Sequence, residues 1–367
     1  MDEKRDIKKY FLSINENIDV TKGKYASLEK NFYETLKKYQ SSKPIANYKI
    51  QPIQFTFEIT TMCNCNCPNC GMSANKEKYS LTNEQIKFIT NELADFGIPG
   101  IAYTGGEPFL EFDKLCKNIK YSNGKIDTFK IISNGFWGKD PEYYFDKLID
   151  AGLFNNKLLK PSIYISIGEQ NVPLENICNL IHYVFINKYY EKINFGIINT
   201  RHPDEKYSQL EKMFHLYEFY YKTFPSGKFY LTDSYYVNAN KESKEKVDIE
   251  KIQTKYIICE CDNKFEQAIG KFVTPKIFMK CNGDCYPCEV FNYHEDVFLG
   301  NLFNDGIKKI IENYNSNDFI LFINKYGTEG FYNVMPKDVL EKTSFETVCQ
   351  ACEFCIKYCK KNNLIKM

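Results

Sequence analysis

The chain has 367 residues, of which 43% are hydrophobic and 26% are charged, and its formal net charge is +1. This size allows one large α/β domain with a smaller appendage, or two to three ordinary domains, and the composition is that of a globular protein. The near-zero charge gives no basic footprint for nucleic acid. The N-terminus lacks the apolar core of a secretory signal, and no run approaches the roughly 18 apolar residues of a membrane span, so we expect a cytoplasmic protein with no membrane partner.

Cysteine is the residue that departs from average usage, with 15 copies. Disulfides are rare in a reducing compartment, and most of these thiols lie two to four residues apart in three clusters. Such spacing favours metal binding.

Residues 1–50 are predicted to form a helical extension. Leu28, Phe32, Leu36 and Tyr39 share one helix face, and residues 42–44 then break the pattern. We interpret this apolar stripe as packing against the rest of the chain, with substrate docking as the alternative.

Residues 51–240 alternate between short strands and amphipathic helices. We predict six strands, at 55–60, 101–103, 127–133, 162–167, 193–199 and 228–237. Five helices are predicted between them, from Thr82 or Asn83 to Gly97 and at 111–121, 141–151, 174–190 and 204–224. This alternation predicts parallel strands with their functional loops at the carboxyl ends, and it leaves a doubly wound sheet open as an alternative to a barrel.

The loop after the first strand carries Cys63, Cys67 and Cys70 at C-x3-C-x2-C spacing. Iron–sulfur clusters are held by thiolates, and a 4Fe–4S cluster with three cysteine ligands keeps one iron open for another ligand, such as the amino and carboxylate groups of a small molecule. The pair Cys67 and Cys70 alone would also suit a thioredoxin-like redox site or half of a zinc site, but neither explains Cys63.

The second strand ends in the segment Gly105-Gly106-Glu107-Pro108. Together with the cysteine loop, it resembles the radical S-adenosylmethionine (SAM) superfamily, although Asn69 stands where many members have an aromatic residue. The resemblance implies a partial (β/α)6 TIM-like barrel and a catalytic 4Fe–4S cluster on the three cysteines. It also implies that Glu107 faces the methionine amine of SAM. Further contacts to the cofactor are expected from Ser133, Asn134, Ser166, Asn199, Thr200 and Arg201 at later strand ends.

A polar stretch at 238–258 suggests a boundary, so we divide the chain into 1–50, 51–240 and 241–367. The last part carries nine cysteines, Cys259, Cys261, Cys281, Cys285, Cys288, Cys349, Cys352, Cys355 and Cys359. Gly283-x4-Cys288 followed by Gly300-Asn301 resembles the SPASM extension of radical SAM enzymes, which binds one or two auxiliary 4Fe–4S clusters. The closing C-x2-C-x2-C-x3-C run instead has the spacing of bacterial ferredoxins. Binding of a zinc ion by these cysteines, in place of an iron–sulfur cluster, is the alternative. We interpret Cys65, Cys116 and Cys178 as ordinary thiols.

The resemblance implies an enzyme that reductively cleaves SAM and uses the 5′-deoxyadenosyl radical to abstract hydrogen from a substrate. We expect that substrate to be a ribosomally made peptide or protein that is crosslinked, epimerised or oxidised, with a flavodoxin- or ferredoxin-type electron donor. The alternatives are dehydrogenation of a small alcohol such as an aminocyclitol, and a non-catalytic iron–sulfur electron carrier.

Overall fold

The computed structural model describes residues 38–65, 67, 70, 72, 78–156, 160–167, 172–199, 229–233, 276–289, 294–321, 339 and 348–362. Several predictions fall outside these residues. They are the helices within 1–37, the fifth barrel helix at 204–224, Arg201 and the cysteines Cys259 and Cys261.

The described strands are β1 Gln54–Thr60, β2 Gly100–Gly105, β3 Thr128–Ser133, β4 Ser162–Ile167, β5 Asn194–Asn199, β6 Phe229–Asp233, β7 Lys276–Met279, β8 Asp284–Tyr286 and β9 Gly300–Asn301. The described α-helices are α1 Asn83–Phe96, α2 Phe112–Ser122, α3 Pro141–Asp150, α4 Leu174–Ile186, α5 Leu302–Ser316 and α6 Val348–Lys361.

All these strands belong to one sheet, in the order β6-β5-β4-β3-β2-β1-β7-β8-β9. Strands β1 to β6 are parallel and adjacent in chain order, which confirms the predicted partial-barrel arrangement. Three further strands extend the sheet on the β1 side. Of these, β7 runs parallel to β1, and β8 and β9 follow as antiparallel neighbours. The six barrel strands and the C-terminal strands β7 to β9 therefore share one sheet.

The two faces of the sheet differ in polarity because side chains alternate along each strand. One face packs against the helices and is apolar, with core residues Phe55, Phe57, Ile59, Ile101, Tyr103, Phe129, Ile131, Ile163, Ile165, Phe195, Ile277 and Met279. We call the other the polar face; it comprises Gln54, Thr56, Glu58, Ala102, Thr104, Thr128, Lys130, Ser162, Tyr164, Ser166, Lys276 and Phe278. On the polar face the side chains of β3 and β4 are partly exposed, whereas Thr56, Glu58, Thr104 and Lys276 are buried.

The helix ends show which local signals decided the boundaries. Helix α1 begins after Thr82, whose side chain and that of Gln85 form a reciprocal capping box, and it ends at Gly97 in a left-handed conformation, both as predicted. Helix α4 is shorter than predicted, because it ends at Ile186 instead of 190. Lys188 has a φ of 55°, which breaks the helical path before a separate 3-10 turn over Tyr189–Glu191.

Gly283 and Asn301 fix the conformation of the hairpin formed by β7 and β8. Gly283 turns the chain between β7 and β8 with a φ of 95°, and a side chain there would meet Phe303 and Asn301. The Asn301 amide donates to the carbonyl of Asn282 at 3.0 Å, and its oxygen accepts the N–H of Phe303 at the start of α5. These residues therefore fix α5 to the hairpin. No described helix is long and apolar enough to cross a membrane.

Candidate active site at the carboxyl ends of the strands

The cysteine loop and the glycine segment meet where β1 and β2 end. The N–H of Gly106 donates to the carbonyl of Thr60 at 2.7 Å, and the N–H of Glu107 donates to the carbonyl of Met62 at 2.8 Å. A Cβ on Gly106 would overlap the backbone of Met62, so only glycine permits this approach. The two motifs that are distant in sequence thus form one backbone unit.

Glu107 lies inside this unit, 1% exposed, and its carboxylate is used by the protein itself. Its Oε1 accepts the backbone N–H of Phe109 at 3.0 Å and the hydroxyl of Ser133 at 2.9 Å, while Oε2 accepts the N–H of Asn134 at 2.7 Å. Burial raises the pKa of Glu107 to about 7, against the effect of these hydrogen bonds. In this structure the side chain predicted to face a methionine amine joins the ends of β2 and β3.

Asn134 continues the connection from Glu107 to the cysteines. Its Nδ2 lies 2.8 Å from Oδ1 of Asn64, 3.2 Å from Sγ of Cys65 and 3.9 Å from Sγ of Cys63. The strand β3 therefore ends against the cysteine loop.

The three motif cysteines have the chemistry that a cluster requires. Cys63, Cys67 and Cys70 are partly exposed at the strand ends, and none of them is in a disulfide. A hydrogen bond from the Cys65 thiol is the main reason that the pKa of Cys63 falls to about 6, which favours the thiolate that binds metal. Among the residues that the structure describes, no three His, Cys, Asp or Glu side chains are placed to hold one metal ion. Three cysteine thiols on one loop are the donor set of a 4Fe–4S cluster with one open iron, and their ligation of such a cluster stays a prediction.

Two residues near this site went unrecognised in the sequence. Cys65, which the sequence suggests is an ordinary thiol, is 6% exposed and hydrogen-bonds with the thiols of Cys63 and Cys67. Trp137, the single tryptophan of the chain, is fully buried, donates its Nε1–H to Oγ of Ser133 at 3.0 Å and stacks on Phe109 at 4.3 Å. The sequence signal for Trp137 is that tryptophan occurs only once in the chain.

The remaining predicted cofactor contacts lie at the following strand ends. Ser166 is half-buried on the polar face of β4, and Asn199 ends β5 in register with Ile167. The side chain of Asn199 lies outside what the structure describes, as do Thr200 and Arg201. The contacts of Ser166, Asn199, Thr200 and Arg201 to SAM stay predictions.

The C-terminal cysteines occupy different surroundings. Cys281 follows β7, where its N–H donates to Oε2 of Glu58 at 3.0 Å and its thiol donates to the Glu58 carbonyl at 3.2 Å. Cys285 is fully buried in the core beneath α5, its thiol 3.4 Å from the carbonyl of Gly283, and Cys288 is partly exposed. Cys359 is buried on α6, which also carries Cys349, Cys352 and Cys355. Ligation of auxiliary clusters by these thiols stays a prediction.

Comparison with known proteins gives consistent matches. The family model "Radical SAM superfamily" matches residues 57–167, which hold both motifs. YydG of Bacillus subtilis, whose name assigns it provisionally to peptide biosynthesis, is 22% identical over 311 residues, 81% of this chain and 90% of YydG. A probable GTP 3′,8-cyclase of Methanococcus maripaludis is 34% identical over 109 residues, but those cover only 29% of this chain and 35% of the cyclase.

Solved structures also align with the chain. One is anSMEcpe with bound AdoMet, at 15% identity and a TM-score of 0.49, covering 85% of this chain and 98% of that one. Another is Streptococcus suis SuiB bound to the precursor peptide SuiA, at 17% identity and a TM-score of 0.42, covering 81% and 70%. The two motifs are joined at the strand ends and the family match spans both of them, so residues 57–167 form a radical SAM domain. Enzymes of this superfamily use a 4Fe–4S cluster and SAM.

Proposed function

We propose that this radical SAM enzyme modifies a ribosomally made peptide or protein, by crosslinking, epimerisation or oxidation of a residue. The similarity to YydG carries the proposal, because it extends over 81% of this chain and 90% of that protein instead of being confined to the radical SAM domain. The similarity to the cyclase stops at about a third of each chain and supports only the shared domain.

The residues at the strand ends suit this chemistry. Cys63, Cys67 and Cys70 would hold the 4Fe–4S cluster and leave one iron to the amino acid part of SAM. The bound cluster and SAM together supply a carbon radical that abstracts hydrogen from the substrate. Gly105 and Gly106 bring the β2 backbone against the cysteine loop, and Glu107 holds the β3 end beside it. The protein thus contributes orientation and a site partly withdrawn from water.

The part of the polar face formed by β3 and β4 offers the substrate a route to that site. On β3, Phe129 and Ile131 on the helix side are fully buried, whereas Lys130 on the polar face is partly exposed. Tyr164 and Ser166 on β4 are partly exposed in the same way, whereas the interior of a closed barrel is filled by side chains. Accessible polar residues leading toward the strand ends are suited to an extended polar substrate such as a peptide.

The enzyme chemistry is tested with a pair of cysteine variants. After anaerobic reconstitution, the wild-type protein with dithionite and SAM should release 5′-deoxyadenosine, and Cys63→Ala should not. Cys178→Ala is the matched control, because this partly exposed thiol lies on α4 and outside the C-x3-C-x2-C motif. If wild type and Cys63→Ala both release 5′-deoxyadenosine only at the background level, the protein would be a non-catalytic iron–sulfur electron carrier. Iron per chain would separate one cluster from two or three, and zinc in place of iron would contradict the cluster.

The substrate class needs a separate test. Short open reading frames beside the gene should be co-expressed with the enzyme, and each product examined by mass spectrometry in normal and deuterated water. A modified peptide, dependent on Cys63, is expected with a flavodoxin- or ferredoxin-type protein as electron donor. If peptides are unchanged and a small alcohol such as an aminocyclitol is oxidised, the alternative dehydrogenase function holds.

A further inference from the structure

We propose that Asn134 is a positioning residue for the catalytic cluster, and that its side-chain amide, together with the Cys65 thiol, sets the electronic environment of the cluster ligand Cys63. This inference rests on the proposed function, because it requires Cys63 to bind the cluster. It assigns to the third strand a role toward the cluster instead of the contact to SAM that we predicted for Asn134.

The orientation of the Asn134 amide is decided by its partners. Oδ1 accepts the backbone N–H of Phe136 at 3.0 Å, so the oxygen must face its own turn. Nδ2 is therefore the atom that points to the cysteine loop, where Oδ1 of Asn64 accepts from it at 2.8 Å. The amide could not be reversed without placing two donors, or two acceptors, against each other.

The backbone of Asn134 is also held in place. Its N–H is bound to Glu107 at 2.7 Å, and the residue is 9% exposed at the start of a turn closed by Gly135, which has a φ of 79°. A group fixed at three atoms loses little further freedom when it interacts with a ligand. The amide is therefore pre-organised beneath the cysteine loop.

The contacts of Nδ2 reach two sulfur atoms. It lies 3.2 Å from Sγ of Cys65, a buried thiol, and 3.9 Å from Sγ of Cys63. The backbone N–H of Cys65 also donates to the Cys63 sulfur, with 3.3 Å between N and Sγ. Cys65 is thus a thiol that supports its neighbour, and its burial explains why it differs from the three partly exposed ligands.

Hydrogen bonds to cluster sulfurs withdraw negative charge and stabilise the reduced cluster, which raises its reduction potential. Removing the amide donor should therefore make the cluster harder to reduce. Replacing the amide by a carboxylate should have a larger effect, because a negative charge would then lie beside the thiolates.

Asn134→Asp and Asn134→Ala separate this role from a structural one. Aspartate keeps the shape of the side chain and the oxygen that accepts from Phe136, so a purely structural role predicts that Asp is tolerated better than Ala. Our proposal predicts the reverse order for the midpoint potential of the SAM-free cluster, with Asp shifted furthest to negative values. The readout is a redox titration followed by electron paramagnetic resonance, with iron content and circular dichroism measured on the same samples.

Two further variants complete the experiment. Asn187→Asp makes the same chemical change at the exposed residue that follows α4 and should leave the potential unchanged. Asn64→Ala removes an exposed partner of the same amide, so it should fold normally and lose iron faster than wild type. Wild-type potentials in both Asn134 variants, or a wild-type rate of iron loss in Asn64→Ala if the Asn134 variants do not fold, would overturn the proposal. A wild-type protein that binds no cluster would instead contradict the proposed function.

Discussion

Oε2 of Glu107 accepts the backbone N–H of Asn134 at 2.7 Å, and this bond joins the end of β2 to the end of β3. Its other oxygen accepts from Phe109 and Ser133, so the three partners of this buried carboxylate are all donors. An acceptor-only group is therefore required at this position. The glutamate of the glycine segment therefore organises the strand ends.

Glu107→Gln should destabilise the protein although the side chains are nearly the same size. The amide NH2 would face at least one of the three donors, which leaves a buried hydrogen bond unmade at a cost of about 1–3 kcal/mol. Chemical unfolding of the two proteins measures the difference. Glu175→Gln, at an exposed position in the first turn of α4, should have almost no effect, and an equal loss in both variants would contradict this account.

Gly106→Ala should prevent the β2 end from approaching the cysteine loop. The new methyl group would overlap the backbone of Met62, where neither side can move without breaking the Glu107 N–H to Met62 bond. We expect a large loss of iron after reconstitution. Gly124→Ala is the control, because Gly124 has a φ of 80° but no atom lies within 4 Å of the added carbon, so iron content should stay normal.

The sequence predicted those features that depend on local patterns. Alternating apolar residues located β1 to β5, and Thr82 and Gly97 marked both ends of α1, because each signal acts within a few residues. The pairing of β7 with β1 was not predicted, since it joins residues more than 200 positions apart through a register that no local pattern specifies. The same reason hid the contact of Cys65 with Asn134 and the stacking of Trp137 on Phe109, because these partners come from separate loops.

The stability of the protein should depend on pH through Glu58. Burial raises the pKa of this β1 carboxyl to about 7, so the protonated form is the one that folding favours. Its contribution is complete below the unfolded pKa near 4.5 and is lost as pH rises through about 7. Glu58→Gln cannot ionise, so between pH 5 and pH 8 it should lose less stability than wild type, by on the order of 3 kcal/mol.

Thermal or urea unfolding of both proteins across this pH range checks the sign. Glu175→Gln makes the same substitution at an exposed position of α4; it is the control and should follow the wild-type curve. Parallel curves for wild type and Glu58→Gln would show that Glu58 is ionised throughout.

The ion pair between Lys276 and Glu289 on the polar face should matter far more than an ion pair on the surface. The two groups lie 3.3 Å apart with 9% and 13% of their side chains exposed, and Glu289 also raises the pKa of Lys130, which burial lowers. Removing one partner leaves a poorly solvated charge, so Lys276→Met should lower the free energy of unfolding by about 3 kcal/mol. Glu289→Gln should lower it more, because two lysines depend on this carboxylate.

Lys308→Met is the control. Lys308 pairs with Glu312 at 3.9 Å, the two side chains are 76% and 42% exposed, and the substitution should cost at most about 0.5 kcal/mol. Unfolding measurements on the three variants and on the double variant of Lys276 and Glu289 give the coupling energy; a coupling near zero would show that these charges act independently.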